Sequence, residues 1–303
     1  AGGSGEDLGN VIGYPCPRLV YRQLTALARV PGVTGVKEYF GFVTEYASVN
    51  EEVTRYITSD CSTSWDAVND ALSDAYVSGE SQEHIRLFWE YASRAVEFVP
   101  WELSWVIRFS NLQPYAEYWG KRFVDLMKTP WVSPSWLSNR RSFYLIVDNE
   151  ANFTSRMQKD LIERFRMSVH VLDQALAVSN KIAVRPGKEK AFAIQTEAVA
   201  LFKIMVTCRL QHLEMSVLAD SLRKGTVERE EGLKRMHSLL ELELDNANRF
   251  VNFLEASGVP YSFKSGGGDP LEHSVIRETI GRIKDCKNHL TEKTIDGWLD
   301  RYF

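Results

Sequence analysis

Apolar positions in the second half of the chain recur three and four residues apart over long stretches, which predicts long helices. Ser155–Ala183 carries Leu161, Phe165, Val169, Leu172 and Leu176 on one stripe, and Pro186-Gly187 breaks it. Lys188–Lys224 carries Val199, Phe202, Val206, Leu210, Leu213 and Val217, and Gly225 ends it. A third stripe runs to Ser257 through Leu233, Met236, Leu240, Leu244, Ala247, Val251 and Leu254. After the Gly266-Gly267-Gly268 loop, a last helix carries Ile276, Ile280, Ile283 and Leu290. Narrow stripes joined by short Gly/Pro loops predict an antiparallel bundle.

The first half reads differently. Pro15 and Pro17 force an extended entry and then permit a helix, over Arg18–Val30 with Leu19, Val20, Leu24 and Leu27 on one face. Pro31-Gly32 ends it. Val33–Phe42 is β-branched and aromatic between glycines, which predicts a strand. Helix, turn and strand form the αβ half of a parallel unit. A lone strand needs neighbours for its backbone groups, so Asn10–Tyr14 pairs with it or its partner strands lie elsewhere. Ser48 with Glu51 predicts a capping box, and Ser64–Val77 and Glu80–Val99 predict two more helices. Residues 100–138 are rich in proline and aromatics, and every tryptophan but Trp298 falls between Trp65 and Trp136. The expected organisation is a terminal α/β segment at 1–45, a helical and aromatic-rich region at 46–150, and the long-helix bundle at 151–303.

Composition narrows the function classes. With 44% hydrophobic and 25% charged residues the chain is globular rather than disordered. A net charge of -4 lacks the basic excess of a nucleic-acid binder. Uncharged stretches fall short of the roughly 20 apolar residues of a membrane helix, so the expectation is no membrane partner. Residues 1–10 show neither the basic nor the apolar region of a signal peptide, and cytoplasm and periplasm both stay open. Cys16, Cys61, Cys208 and Cys286 lack CxxC spacing and read as structural thiols. Asn152-Phe153-Thr154 matches a glycosylation sequon, a short pattern common by chance.

No complete catalytic motif stands in the chain. None of the six histidines has Glu three residues before it, so the di-iron bundle signature is missing. No Walker loop, GxGxxG or GxSxG occurs. The expectation is therefore no metal and no cofactor. Two features keep a functional reading beside a bland one. Glu38 lies near the end of the expected strand, where barrels and open sheets build their sites, although a carboxylate there is more often a surface group. Trp101, Trp119, Trp131 and Trp136 offer flat faces of the kind that stack on sugar rings, although aromatics more often fill cores. Trp89, mid-helix beside Phe88, reads as core.

Pro15-Cys16-Pro17-Arg18-Leu19, a helix, Val30-Pro31-Gly32-Val33-Thr34-Gly35-Val36 and then a Glu-containing aromatic strand end resemble the last βα unit and strand of bacterial glycoside-hydrolase-like (β/α)8 barrels. Ser48-Val49-Asn50-Glu51 is similar to the helix start after that strand. Ser64–Tyr76, Glu83–Phe98 with Ser93-Arg94-Ala95, and the exit at Pro100-Trp101 resemble the helical region that follows the barrel, in a layout similar to α-glucuronidases. The motifs cover about a third of the chain. The resemblance implies a mainly α chain: a short βα/strand remnant of a TIM-like barrel, then an α-helical domain ending in the bundle. It implies an oligosaccharide or polysaccharide ligand, with Glu38 and Tyr39 positioning it beside the four tryptophans. It also implies an upstream barrel region of the same polypeptide that supplies the two catalytic carboxylates, which no residue here is assigned to be. The alternative is a non-catalytic α-helical scaffold or interaction module. An α/α toroid is disfavoured, because the helices after 150 are too long and too unlike each other. Oligomeric state is left open.

Overall fold

The computed structural model describes residues 14–35, 48–99, 155–256 and 273–302. Among them the chain is mainly helical, and the only β pairing is an isolated antiparallel bridge between Val77 and Val184. Of the expected strand, residues 33–35 are irregular and residues 36–42 lie outside the described residues.

The helices are α1 (Pro17–Ala28), α2 (Val49–Ser59), α3 (Trp65–Tyr76), α4 (Ser81–Phe98), α5 (Ser155–Ser179), α6 (Glu189–Arg223), α7 (Arg229–Ala256), α8 (His273–His289) and α9 (Ile295–Tyr302). Their ends follow local chemistry. Pro17 takes the first helical position of α1. Ser48 Oγ accepts from Glu51 N at 3.2 Å, and Ser64 Oγ from Ala67 N at 3.3 Å. Glu51 does not complete the expected box with its carboxylate, which instead accepts from Arg55 one turn on. At the end of α6, Gly225 (φ 65°) lets Thr226 N reach Ser221 O at 3.0 Å and Gly225 N reach Leu222 O at 3.2 Å. That is a Schellman stop, which needs a residue free to take positive φ.

The described residues fall into two compact units. Unit 1 holds residues 14–35, 48–99 and 167–203. Its core is aromatic: Tyr14, Tyr76, Phe88 and Trp89 are buried, with Phe192 and Phe202 from α6. Tyr14 meets Phe202 edge-on at 4.8 Å and donates from its hydroxyl to Ala92 O at 2.8 Å. Removing residues 1–45 therefore strips buried side chains from unit 1, so such a truncation does not separate the two functional readings. α1 packs on α2 and α4, where Arg18 pairs with Glu90 and Arg22 with Glu97. Ser168 Oγ of α5 donates at 2.9 Å to Ala95 O, one of the last four carbonyls of α4, the group that a helix end leaves in need of partners.

Unit 2 holds residues 155–166, 204–256 and 273–302, and in it α7 packs along α8. α9 was not expected from the sequence. It docks through Trp298, whose Nε1 donates to Cys286 O at 2.8 Å, and through Arg229, which pairs with Asp296 at 2.8 Å. Its signal is the spacing of Ile295, Trp298 and Leu299, all buried.

Two stripes need correction. In α5 the buried positions include Ser168, Ala175 and Ser179, while Val169 and Leu176 are half-buried. At Ser168 the inward turn is accompanied by a hydrogen bond to α4. α6 has no single stripe: Ala198, Val199, Leu201, Phe202, Ile204 and Met205 are all buried, and Leu210 and Val217 only partly so. A helix that is apolar all round is a core helix or a membrane span. By length and composition α6 does qualify as a candidate span, contrary to the sequence expectation, but 61% of that window is buried inside the protein.

Candidate functional site

Glu38, Tyr39, Trp101, Trp119, Trp131 and Trp136 all lie outside the described residues, as does Asn152. The structure instead describes the helices on either side of Glu38. Asn50, in the first turn of α2, joins their starts. Its Oδ1 accepts from Cys16 N at 2.9 Å, and its Nδ2 donates to Tyr14 O at 2.7 Å and contacts Cys16 Sγ at 3.6 Å. The amide suits both partners, since its oxygen accepts from a donor while its nitrogen donates to an acceptor. The N-termini of α1 and α2 are thus held side by side.

A polar arrangement in unit 1 runs from its core to its surface. Trp89 Nε1 donates to Gln195 Oε1 at 2.7 Å, and Trp89 packs edge-on against Tyr76 at 5.6 Å. The Tyr76 hydroxyl and Gln195 Nε2 are buried and make no hydrogen bond of normal geometry with a described residue. Burial, and then the negative charge of Glu52, push the Tyr76 phenol above the usual tyrosine range, and Gln195 opposes this. At the rim, Lys188 Nζ sits 4.6 Å from the Tyr76 ring centroid and 3.8 Å from Glu52. Lys188 is placed by the loop before α6, which Arg185 fastens to the end of α3: its N donates to Tyr76 O at 2.7 Å and its Nε to Val77 O at 2.8 Å. Trp89 and Tyr76 are 1% and 0% exposed, so the cluster is a packed network and not an open cleft. Trp89 is core, as its position beside Phe88 suggested.

Unit 2 contains polar residues that the stripe reading missed. Glu243 and Asn246 are buried within the apolar side of α7. Cys208 of α6 donates from Sγ to Glu243 Oε1 at 3.1 Å, and Asn246 Nδ2 donates to Ile204 O at 2.9 Å. The signal was available: Glu243 follows Leu240 by three residues and precedes Ala247 by four, which puts a carboxylate on the core stripe.

The same unit bears an open groove of about 430 Å³ along α5, α6 and α7. Ile162, Val217, Val227 and Leu239 line it and are each only half-buried. Charges border it: Arg166 donates to Glu214 from Nε at 3.1 Å, and Lys234 and Arg235 are exposed on α7. Gly232 marks a close passage nearby, where a Cβ would lie 2.3 Å from Leu222 Cδ2.

Among the described residues no group of three or more His, Cys, Asp or Glu is placed to hold a metal ion. Three of the four thiols are buried and Cys61 is exposed. Burial raises Cys16 to about 11 and Cys286 to about 12, and raises Tyr14 well above its ordinary value. Such thiols are poor nucleophiles at neutral pH. These groups also set an alkaline limit on stability. Each holds its proton more tightly when folded, so its contribution is intact below the ordinary value of 9.0 for the thiols and 10.0 for the phenols. It is lost as pH rises through the folded values. Urea midpoints measured from pH 7 to 11 are expected to hold until about pH 9 and fall beyond it. A flat profile would contradict the burial of these four groups.

Comparison with protein-family models, with curated proteins and with solved structures finds no match.

Proposed function

We propose that the chain is the C-terminal part of a carbohydrate-active, glycoside-hydrolase-like protein, in which the described helices support a sugar-binding segment and are not themselves catalytic. The observation that carries this is the Asn50 junction. α1 has 12 residues and is about 18 Å long at 1.5 Å per residue. Because α2 starts beside the start of α1, the chain leaving Ala28 has to travel back over that length before Ser48. An extended segment covers about 18 Å in five or six residues. The β-branched run at Val33–Phe42 has the composition for it, and helix, returning strand, helix is the repeat of a parallel α/β layer.

A second feature supports the same reading. Val20, Leu24 and Leu27 of α1 are only half-buried, and Val30 and Val33 beyond its end are 47% and 39% exposed. The ion pairs to Glu90 and Glu97 hold the opposite side of α1 against α4. The apolar side is left where a sheet would cover it. Glu38 and Tyr39 would lie on the returning strand, and the end where α1 and α2 begin would be its ligand end. Glu38 would position substrate, and the catalytic carboxylate pair would belong to other strands of the barrel.

Isothermal titration with a panel of uronic-acid and neutral oligosaccharides tests this reading. At least one glycan is expected to bind, with affinity reduced about tenfold or more in Glu38→Gln or Trp131→Ala, the effect of losing roughly 1.4 kcal/mol. A folded sample that binds none, or whose binding both variants leave unchanged, contradicts it.

The groove of unit 2 favours a second reading, a non-catalytic helical scaffold. Half-buried apolar side chains bordered by charge are what an interaction surface presents. Under that reading Leu239→Glu abolishes partner capture without unfolding the chain, while the glycan titrations stay silent. Capture that is indifferent to Leu239→Glu would remove the groove from consideration.

A further inference from the structure

We draw no further inference here: the strongest candidate, the open groove along α5, α6 and α7 in unit 2 lined by Ile162, Val217 and Leu239, carries nothing beyond the scaffold reading already given, because nothing in the structure shows what covers it.

Discussion

Trp89→Ala is expected to lower the stability of unit 1 by about 3–5 kcal/mol, the range for truncating a large buried aromatic. Two causes add. The indole is 1% exposed and fills the space against Tyr76, so its removal leaves a cavity. Its Nε1 is also the partner of Gln195 Oε1, which alanine would leave without its 2.7 Å hydrogen bond. Trp89→Phe separates the causes, because it retains much of the ring volume but no donor. It should cost about 1–3 kcal/mol, the penalty for an unsatisfied buried acceptor. Gln195→Leu orphans the indole N–H by the same logic. The double variant Trp89→Phe/Gln195→Leu removes both polar groups together and should be more stable than the two single losses predict. Urea unfolding followed by circular dichroism gives the cycle, and hydrogen exchange in α3 and α4 locates the change in unit 1. Strict additivity would mean that the two side chains do not interact.

The contrast between local and distant information explains what the sequence made legible. Helix ends depend on neighbouring residues: Ser48, Ser64, Pro17 and Gly225 act where their chemistry places them. The side of a helix that is buried depends on what it meets. The spacing in α6 predicts a stripe, the usual face of a surface helix, whereas the helix is buried on several sides. Ser168 and Glu243 are polar by type and point inward where partners on other helices, Ala95 O and the Cys208 thiol, bond to them. Pattern alone cannot supply a partner in another element. The candidate sugar-binding residues are a different case. Glu38, Tyr39 and the four loop tryptophans fall outside the described residues, so their assignment still rests on sequence, and the structure reaches them only through the helices on either side of Glu38.

Asn50→Ala is the substitution that bears on that link. The side chain bonds the backbone at both Tyr14 and Cys16 across 34 to 36 residues of sequence, so alanine breaks the junction between the starts of α1 and α2. The expected loss is about 1–3 kcal/mol, because the Cys16 N–H keeps its burial and loses its acceptor. Glu51→Ala, one residue on, is the control: Glu51 makes an exposed pair with Arg55, which is worth about 0.3–0.5 kcal/mol. The decisive readout is local. The Cys16 amide should be protected from hydrogen exchange in the unaltered chain, exposed in Asn50→Ala, and unaffected by Glu51→Ala. If it exchanges freely in the unaltered chain, the starts of α1 and α2 are not joined and the argument for a returning strand fails. If it is protected, the same variant tests the function. Asn50 is not itself one of the proposed sugar contacts, yet it joins the two helices that flank Glu38 in sequence. Under the carbohydrate reading Asn50→Ala weakens glycan binding, while under the scaffold reading capture through the unit 2 groove is unchanged.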